Sequence, residues 1–598
     1  MKTNKFFIAL AVGVIFLITS IGMASACSVC LKKSEADYND YGTFMKNNYY
    51  YVPYLSSTDT FVIYQNDELY LELTDHDLCY HHWKYDGSQY SSGVGDVVAP
   101  YRFTASGNHV ITSTQDYLLW TCDSGSETVN VKVVPKNNDY PVVLVHGFAG
   151  WGRNEMGLNL YGDSNPDIGF IYWGGQAWGS AIVDIEKTLN NRGYKVYTAS
   201  VGPVSSVYDR ACDLWAQLKG GDGNQALYGT NHAAQAGTTE YPHAANSGAR
   251  TYNNLTRTWN GGTQAIGAVN ASNPIHLIGH SMGGQTVRML AGLLEVGSPW
   301  GDSDIWPGGQ MGYIRSITTA ATPHNGTSLT HMVGNITNVL NDWGINWLKI
   351  LTGENVVNTL AMAYGLDIEQ WTNGLSGAPC NITVTNLTTG TCMNSKPAIT
   401  DLSLWDLSPC GAMYDLNTRP QMVARPDIYY FSYSCMQSDS SGNADASNLF
   451  GVFTAASWNT NANLENAGLT GDWHYHDGVV NTISAAKPSC DQFTDTKESS
   501  DAVYSVYGPK GKWYHIDMLH EDHMDVVGGF LGLGTETMSA HDPWDLPGHD
   551  HAMTDTNLNK SSWGTTGKIH GEHMTLNNPT IYDFWQMQID RLQRLPAF

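Results

Sequence analysis

The chain has 598 residues, of which 31 are Lys or Arg and 56 are Asp or Glu, so its formal net charge is −25. This acidic balance argues against binding to nucleic acid and against electrostatic docking on anionic lipid headgroups, because both need clustered cations. Hydrophobic residues make up 42% of the chain and charged residues 15%, which excludes a disordered protein. The length predicts roughly two to four domains, and the charge predicts a neutral, apolar or cationic partner.

Residues 1–26 have the pattern of a signal peptide. Lys2 and Lys5 precede an apolar run that ends in Ala24-Ser25-Ala26, a small-x-small cleavage pattern. The run is short and ends in small residues, so we expect a secreted protein with no integral membrane segment after cleavage. Because Cys27 follows the cleavage point directly, a lipid-anchored form is an alternative.

Residues 27–138 are predicted to form a small β-sandwich-like domain, because short alternating apolar runs are separated there by turn residues. The clearest of these runs are 60–64, 69–73, 109–112 and 126–134. Export makes disulfides plausible for a chain with ten cysteines. Cys79 and Cys122 both fall in this region and are expected to pair, whereas the other pairings are left open.

Residues 139–598 are predicted to form an α/β domain with a parallel sheet, because buried-strand and helix patterns alternate. The predicted strands cover 140–147, 195–201, 274–279 and 313–320, and the predicted helices cover 182–191 and 285–295.

The segment Gly279-His280-Ser281-Met282-Gly283 lies between a predicted strand and a predicted helix, which is the context of a nucleophile elbow. A serine nucleophile needs a base and a carboxylate, which are expected to follow in the order carboxylate, then histidine. Asp477 and His523, in loops after plausible strands, are the predicted pair. His476, His515 and His520 are nearby competitors for the role of base.

A tetrahedral intermediate on Ser281 would also need donors for its oxyanion. The N–H of Met282, directly after the nucleophile, is one predicted donor. The glycine-rich turn at 146–150, after the first strand of the domain, is expected to supply the N–H of Phe148 as the other.

Several longer motifs occur in a fixed order, at residues 146–153, 172–175, 201–206, 209–212, 321–327, 477–484 and 522–523. Together they resemble bacterial lipase family I.5/I.6, the thermoalkalophilic Geobacillus and the staphylococcal lipases. The resemblance implies an α/β-hydrolase fold with zinc-binding and lid insertions, and triacylglycerol lipase activity.

The resemblance also implies a zinc site made of two carboxylates and two histidines, in a subdomain at about 205–255 and 360–375. The ligands that it assigns are Asp209, His232, His243 and Glu369, with Asp367 as the substitute for Glu369. Four protein ligands leave no open position, so we expect this zinc to be structural and not catalytic.

Two further features are tied to the resemblance. Asp525 fits one acidic position of the family's calcium site, but the next ligand falls where this chain departs from the family. The departure is a His- and Asp-rich insertion at about 534–575, read as a solvated loop with a second metal as the alternative. The apolar stretch at 328–364 corresponds to the family's lid, although a core helix would show the same pattern.

The sequence therefore predicts a secreted serine carboxylic ester hydrolase, a triacylglycerol lipase that acts through an acyl-enzyme on Ser281. A polyester hydrolase or a broad carboxylesterase is the alternative, since the same groups cleave any accessible ester. A non-catalytic binding protein on a hydrolase fold is the alternative of a different class. The expected partner is a neutral ester or lipid at an interface.

Overall fold

The structure is a computed structural model, and its chain divides into two compact units, Met1–Pro135 with His573–Asn577 and Lys136–Glu572 with Asn578–Phe598. The structure describes residues 29–32, 50–51, 60–64, 68–73, 80–94, 99–102, 105, 107–116, 126–134, 136–153, 172–174, 184–191, 193–203, 205–219, 254–259, 262–299, 301, 303, 305–330, 392, 403–438, 442–443, 471–489, 493–495, 510–519, 521–529 and 581–597. The predicted signal peptide, the Cys79–Cys122 pair, the lid beyond residue 330 and the insertion at 534–575 lie outside these residues.

The described part of the first unit consists of strands in two sheets. The strands are β1 (Val29–Lys32), β2 (Tyr50–Tyr51), β3 (Thr60–Tyr64), β4 (Glu68–Leu73), β5 (Tyr80–Tyr85), β6 (Ser88–Val94), β7 (Ala99–Arg102), β8 (Gly107–Asp116) and β9 (Ser126–Val134). One sheet has the order β2-β1-β4-β7 and the other β3-β9-β8-β5-β6. The strands predicted from the alternating runs are present, and the sandwich-like packing of the sheets stays a prediction.

The turn between β5 and β6 shows why the sequence forms a hairpin there. Asp86 and Gly87 have φ of +44° and +80°, the left-handed values that a tight two-residue turn requires. The carboxylate of Asp86 also accepts a hydrogen bond of 2.8 Å from the N–H of Val110. The turn is therefore fixed both by its backbone and by the neighbouring strand.

The second unit alternates strands and helices. In chain order its elements are β10 (Val142–Val145), α1 (Ile185–Asn191), β11 (Val196–Ala199), α2 (Val207–Lys219), β12 (Thr256–Trp259), β13 (Gly262–Ala265), β14 (Ile275–His280), α3 (Met282–Val296), β15 (Ile314–Ala320), α4 (Ser403–Leu407), α5 (Pro409–Tyr414), β16 (Tyr429–Cys435), α6 (Thr482–Ala486), β17 (Phe493–Asp495), β18 (Trp513–Leu519) and α7 (Ile581–Arg594). Short 3₁₀ turns cover Leu416–Thr418, Pro420–Met422, Gly471–His474 and Asp525–Val527.

Seven of these strands form one sheet with the order β11-β10-β14-β15-β16-β18-β17, and every neighbouring pair in it is parallel. The predicted α/β domain with a parallel sheet is confirmed. Strands β10, β14, β15 and β16 are buried along their whole length, as their continuous apolar runs require when helices cover both faces. Because parallel strands end at one edge, the loops after them meet there.

The core of this unit forms around α3, which is buried from Met282 to Leu294. Leu277 of β14, Leu290 of α3 and Trp513 of β18 belong to one continuous buried cluster. Burying a side chain of this size contributes about 1.5–3 kcal/mol, so the cluster holds the sheet and α3 in fixed register. The turn between β14 and α3, which contains Ser281, is thus anchored at both ends.

A disulfide joins Cys392 to Cys410 of α5, with a Cα–Cα distance of 5.2 Å. Trp405 packs against it in a small buried cluster. Within the part of the chain that the structure describes, no helix is both long and apolar enough to cross a membrane.

Candidate active site

Ser281 occupies a sharp turn between β14 and α3. Its backbone has φ +53° and ψ −132°, a left-handed conformation that is strained for a residue with a side chain. The flanking glycines make the turn possible, because a Cβ on Gly279 would lie 2.5 Å from the backbone of Gly283. A Cβ on Gly283 would in turn lie 2.2 Å from the carbonyl oxygen of Val145. The predicted nucleophile elbow therefore has its expected backbone.

The glycine-rich turn after β10 packs directly against this serine. A Cβ built on Gly147 would lie 2.6 Å from Cβ and 3.1 Å from Oγ of Ser281. Phe148 follows Gly147, so the structure brings the predicted donor segment to the serine. Met282 is the first residue of α3, and its N–H has no acceptor within that helix. Both predicted oxyanion donors thus belong to segments that meet at Ser281.

Buried side chains fix the position of this turn. The guanidinium of Arg210, in α2, donates hydrogen bonds to the carbonyl oxygens of His146 and Gly202 and to the hydroxyl of Thr286. The ring of His146 donates from Nδ1 to the carbonyl of Gly147 at 2.9 Å. Arg210 lies within the motif at residues 209–212, but nothing in the sequence indicated that it supports this turn.

Asp477 and His523 are paired. Oδ2 of Asp477 lies 2.9 Å from Nδ1 of His523, and the two residues are 0% and 5% exposed. Oδ1 of Asp477 accepts the N–H groups of Val479 at 2.9 Å and Val480 at 2.7 Å, which leaves Oδ2 directed at the ring. Because a carboxylate only accepts, Nδ1 carries the proton and Nε2 of His523 is free to act as a base.

The loops that carry this pair differ slightly from the prediction. His523 follows β18, as expected for a residue in a loop after a strand. Asp477 does not directly follow a strand, since it lies between the 3₁₀ turn Gly471–His474 and α6. The main chains of the two loops are joined, because the N–H of His523 donates to the carbonyl of Asp477 at 2.9 Å.

The segment Tyr172-Trp173-Gly174 contacts the serine turn from outside the sheet. The hydroxyl of Tyr172 lies 2.6 Å from Nδ1 of His280 and accepts the N–H of Gly147 at 2.8 Å. Nε2 of His280 lies 2.8 Å from the carbonyl oxygen of His523. Burial, with the neighbouring imidazoles of His523 and His146, lowers the pKa of His280 well below its usual value, so its ring is neutral.

Two of the competing histidines have other roles. Nε2 of His515, within β18, lies 2.9 Å from the hydroxyl of Ser434, and burial lowers the pKa of His515 to about 3. The ring of His476 donates to the carbonyl of Gly442 at 3.1 Å and accepts the N–H of Gly478 at 3.1 Å. The ring of His515 therefore joins two neighbouring strands and that of His476 supports a loop, whereas His520 lies outside the described residues.

A group of carboxylates surrounds the end of β16. Burial raises the pKa of the Cys435 thiol well above its usual value, and Asp477, Glu521, Asp522 and Asp525 add to the effect. Cys435 therefore stays protonated and does not compete with Ser281 as a nucleophile. Oδ2 of Asp525, which fits one position of the family's calcium site, lies 3.5 Å from the N–H of Asp522.

The predicted zinc ligands can be traced only in part. Asp209 is 1% exposed in the first turn of α2, and its N–H donates to the hydroxyl of Ser206 at 3.2 Å. His232, His243, Glu369 and Asp367 lie outside the described residues. Among the residues that are described, no group of three or more His, Cys, Asp or Glu side chains is arranged to hold a metal ion.

A parallel sheet, a strained serine turn between β14 and α3, and a buried Asp–His pair beside that turn define an α/β-hydrolase-like fold. The family model described as "Lipase-like, C-terminal domain" matches residues 138–530. The chain belongs to this family of lipase-like proteins.

Relatives of known name agree with this assignment. A lipase of Staphylococcus epidermidis is 31% identical over 416 residues, which cover 65% of this chain and 51% of the relative. Lipase 1 of Staphylococcus aureus (strain MRSA252) is 30% identical over 410 residues, which cover 66% of this chain and 52% of the relative. The chain thus spans about half the length of the curated relatives that it matches.

Two solved structures resemble the chain. EstA from Clostridium botulinum matches with a TM-score of 0.45 and 30% identity, over 66% of this chain and 85% of that one. The lipase of Staphylococcus hyicus matches with a TM-score of 0.42 and 26% identity, over 66% of this chain and 91% of that one.

Proposed function

We propose that the protein is a serine carboxylic ester hydrolase, a triacylglycerol lipase whose acyl-enzyme forms on Ser281. The observation that carries this proposal is the contact of 2.9 Å between the buried side chains of Asp477 and His523. The main-chain carbonyl of His523 is in turn hydrogen-bonded to His280, the residue before Ser281. Membership of the lipase-like family supports the same activity.

The reaction follows from the protonation states. Nε2 of His523 takes the proton of the Ser281 hydroxyl as its Oγ attacks the ester carbonyl, and the ring becomes an imidazolium. The carboxylate of Asp477 stabilises this cation and holds its tautomer. The N–H groups of Phe148 and Met282 stabilise the oxyanion, and His523 then returns its proton to the departing alkoxide. Water, activated by His523, releases the fatty acid and restores the serine.

A neutral substrate is consistent with the net charge of −25, because a strongly acidic protein repels anionic ligands. A polyester is the alternative substrate, since it presents the same carbonyl group. Turnover of a long-chain triglyceride emulsion, compared with turnover of polyester film by the same sample, separates the two.

The test of the central proposal is Ser281→Ala. We expect hydrolysis of p-nitrophenyl esters to fall by at least about 10³-fold while the protein stays folded, because no other group replaces the nucleophile. Ser272→Ala, at an exposed turn, is the matched control and keeps full activity. Retained turnover in Ser281→Ala would contradict the acyl-enzyme mechanism. A folded wild type without any esterase activity would favour a non-catalytic binding protein.

We also propose the structural zinc site, with Asp209, His232, His243 and Glu369, or Asp367 in its place, as ligands. A carboxylate buried at the start of α2 is a donor of the type that zinc takes, which supports Asp209. Metal analysis of the purified protein, wild type against His232→Ala, tests the site. We expect the variant to lose zinc and melt at a lower temperature with little change in turnover, and equal zinc content would refute the site. Asp525 stays only a candidate ligand for calcium or a second metal, as the sequence left it.

Export is likewise proposed from the pattern of residues 1–26, with a lipid anchor on Cys27 as the alternative. Mass spectrometry of the mature N-terminus in an exporting host distinguishes a free cysteine from a lipidated one. An unprocessed N-terminus would contradict both.

A further inference from the structure

One uninterrupted series of hydrogen bonds joins the two halves of the candidate active site. It runs from the N–H of Gly147 to the hydroxyl of Tyr172, from there to Nδ1 of His280, and from Nε2 of His280 to the carbonyl of His523. The distances are 2.8, 2.6 and 2.8 Å. The two ends lie in the oxyanion turn and in the loop of the proposed base.

The donors in this series are fixed by chemistry. A carbonyl oxygen only accepts, so Nε2 of His280 must carry the proton and its Nδ1 must be the acceptor. The hydroxyl of Tyr172 therefore donates to His280 and accepts from Gly147. Reversing any member would leave two donors or two acceptors facing each other.

Burial keeps this arrangement in place. Tyr172 is 4% and His280 0% exposed, and desolvation moves the pKa of His280 down and that of Tyr172 up. Neither ring therefore gains or loses a proton near neutral pH. Trp173, next in the chain, packs edge-on against His280, and the N–H of Gly174 donates to the carbonyl of Val527 in the loop after His523.

We propose that Tyr172 and His280 are positioning residues that set the distance between the oxyanion donor at Phe148 and the base at His523. This inference depends on the proposed hydrolase function. Neither side chain is assigned a chemical step. Their role is to hold two main-chain segments in the geometry of the transition state, where small displacements are costly.

The decisive variant is Tyr172→Phe, which removes one oxygen and leaves the ring. We expect kcat to fall about 10- to 100-fold, because the oxyanion turn is displaced in the transition state. We expect KM to stay nearly unchanged, because the groups that bind the ester are not altered. Binding of an alkyl boronic acid, which mimics the tetrahedral oxyanion, should weaken by a similar factor. A role limited to stability would not change these two quantities at a temperature well below unfolding.

Tyr194→Phe is the matched control. Its hydroxyl is also buried and donates to Asp590 at 2.6 Å, but it lies outside the series. We expect this variant to lose stability and keep the kcat of the wild type. If Tyr172→Phe behaves in the same way, with kcat and boronic acid binding within about twofold of wild type, the inference is wrong.

Two substitutions of His280 separate the halves of the series. His280→Gln keeps a donor near the Nε2 position, and His280→Asn keeps a polar group near the Nδ1 position. We expect Gln to keep kcat close to that of the wild type and Asn to lower it, because only Gln keeps a donor for the carbonyl of His523. Equal kcat for the two variants would contradict the proposed link. An inactive wild type would instead refute the hydrolase function itself.

Discussion

The side chain of Gly283 is a hydrogen atom in a place where the carbonyl oxygen of Val145 leaves no room for more. A Cβ there would approach that oxygen to 2.2 Å, and the carbonyl carbon of Val145 to 2.9 Å. Both atoms belong to the end of β10, whose next residues form the oxyanion turn. The smallest possible substitution therefore changes the relation between the serine turn and its donors.

We expect Gly283→Ala to lower stability by about 1–3 kcal/mol, the usual cost of overpacking a tight core. It should also lower kcat/KM more than about tenfold. The oxyanion turn must move away from the new Cβ, and this movement displaces the N–H donor from the oxyanion. Thermal unfolding and ester kinetics on the same sample provide the measurement.

Gly267→Ala is the control for this prediction. Gly267 has φ +80° but open space around it, so its substitution strains the backbone without a clash. We expect it to lose stability by about 1–2 kcal/mol and keep full activity. Equal activity of the two variants would show that the contact with Val145 does not position the turn.

At this scale the sequence predicted residues with a local signature better than residues that act over distance. Ser281 was predicted from the elbow motif, and the pair Asp477 and His523 from chain order and family resemblance. Arg210 and Tyr172 support the site through contacts across 64 and 108 residues of chain. Such contacts are set by the three-dimensional packing, which no local pattern encodes.

Glu295, at the C-terminal end of α3, lies beside Asp427, in the segment before β16. Burial raises the pKa of Glu295 to about 8, and a hydrogen bond to Asp427 together with the charge of Asp427 adds to the shift, against the effect of Arg425. Asp427 also accepts the N–H of Gly312 at 2.9 Å, which keeps its carboxylate in place. Glu295 is therefore protonated at neutral pH.

The raised pKa of Glu295 predicts a loss of stability as the pH rises from about 4.5 to about 8. The pKa of Glu295 in the folded state, about 8, lies above its ordinary value of 4.5, so the native state holds a proton that the unfolded state releases. The free energy of unfolding falls as the pH rises through this window. We expect Glu295→Gln to remove that part of the decline, so its advantage in Tm over wild type grows from pH 5 to about pH 9.

Asp427→Asn is the companion variant, because it removes the neighbouring charge and keeps an oxygen for Gly312. It should flatten the same part of the curve of Tm against pH. Parallel curves for wild type and both variants would show that Glu295 is not protonated in the folded protein at neutral pH.

At the scale of elements, the sequence predicted the type of each element more accurately than its ends. Helix α3 begins at Met282, three residues before the predicted start. Met282, Gly283 and Gly284 show no apolar periodicity, so the sequence pattern did not include them in the helix. Strand β14 ends at His280, inside the elbow motif. Asp477 follows the 3₁₀ turn Gly471–His474, which the sequence did not predict. A turn this short has no hydrophobic periodicity from which it could be predicted.

At the scale of the whole second unit, Asn138 joins the beginning of the unit to its end. Its Nδ2 donates to the carbonyls of Leu592 at 2.9 Å and Leu595 at 2.8 Å. Its Oδ1 accepts from Nε2 of His276, a neutral ring in β14. One buried amide therefore connects the segment before β10, the central sheet and α7.

We expect Asn138→Ala to lower the free energy of unfolding by about 2–4 kcal/mol, because buried carbonyls and His276 lose a partner. Asn137→Ala is the control, since the Asn137 side chain donates one hydrogen bond, to the carbonyl of Arg594, and is less buried. It should cost about 1 kcal/mol. Equal losses by thermal unfolding would contradict the proposed role of Asn138, and kcat at 25 °C should be unaffected in both.

The contacts of Asn138 span 454 and 457 residues of chain. The side chain of Trp585 in α7 likewise donates to Val526, just beyond His523, at 2.9 Å. During synthesis, α7 must leave the ribosome before Trp585 can donate its hydrogen bond to Val526, in the loop that carries His523. We therefore expect the proposed esterase activity to appear during translation only after the segment 581–595 has emerged, which a ribosome-release assay measures.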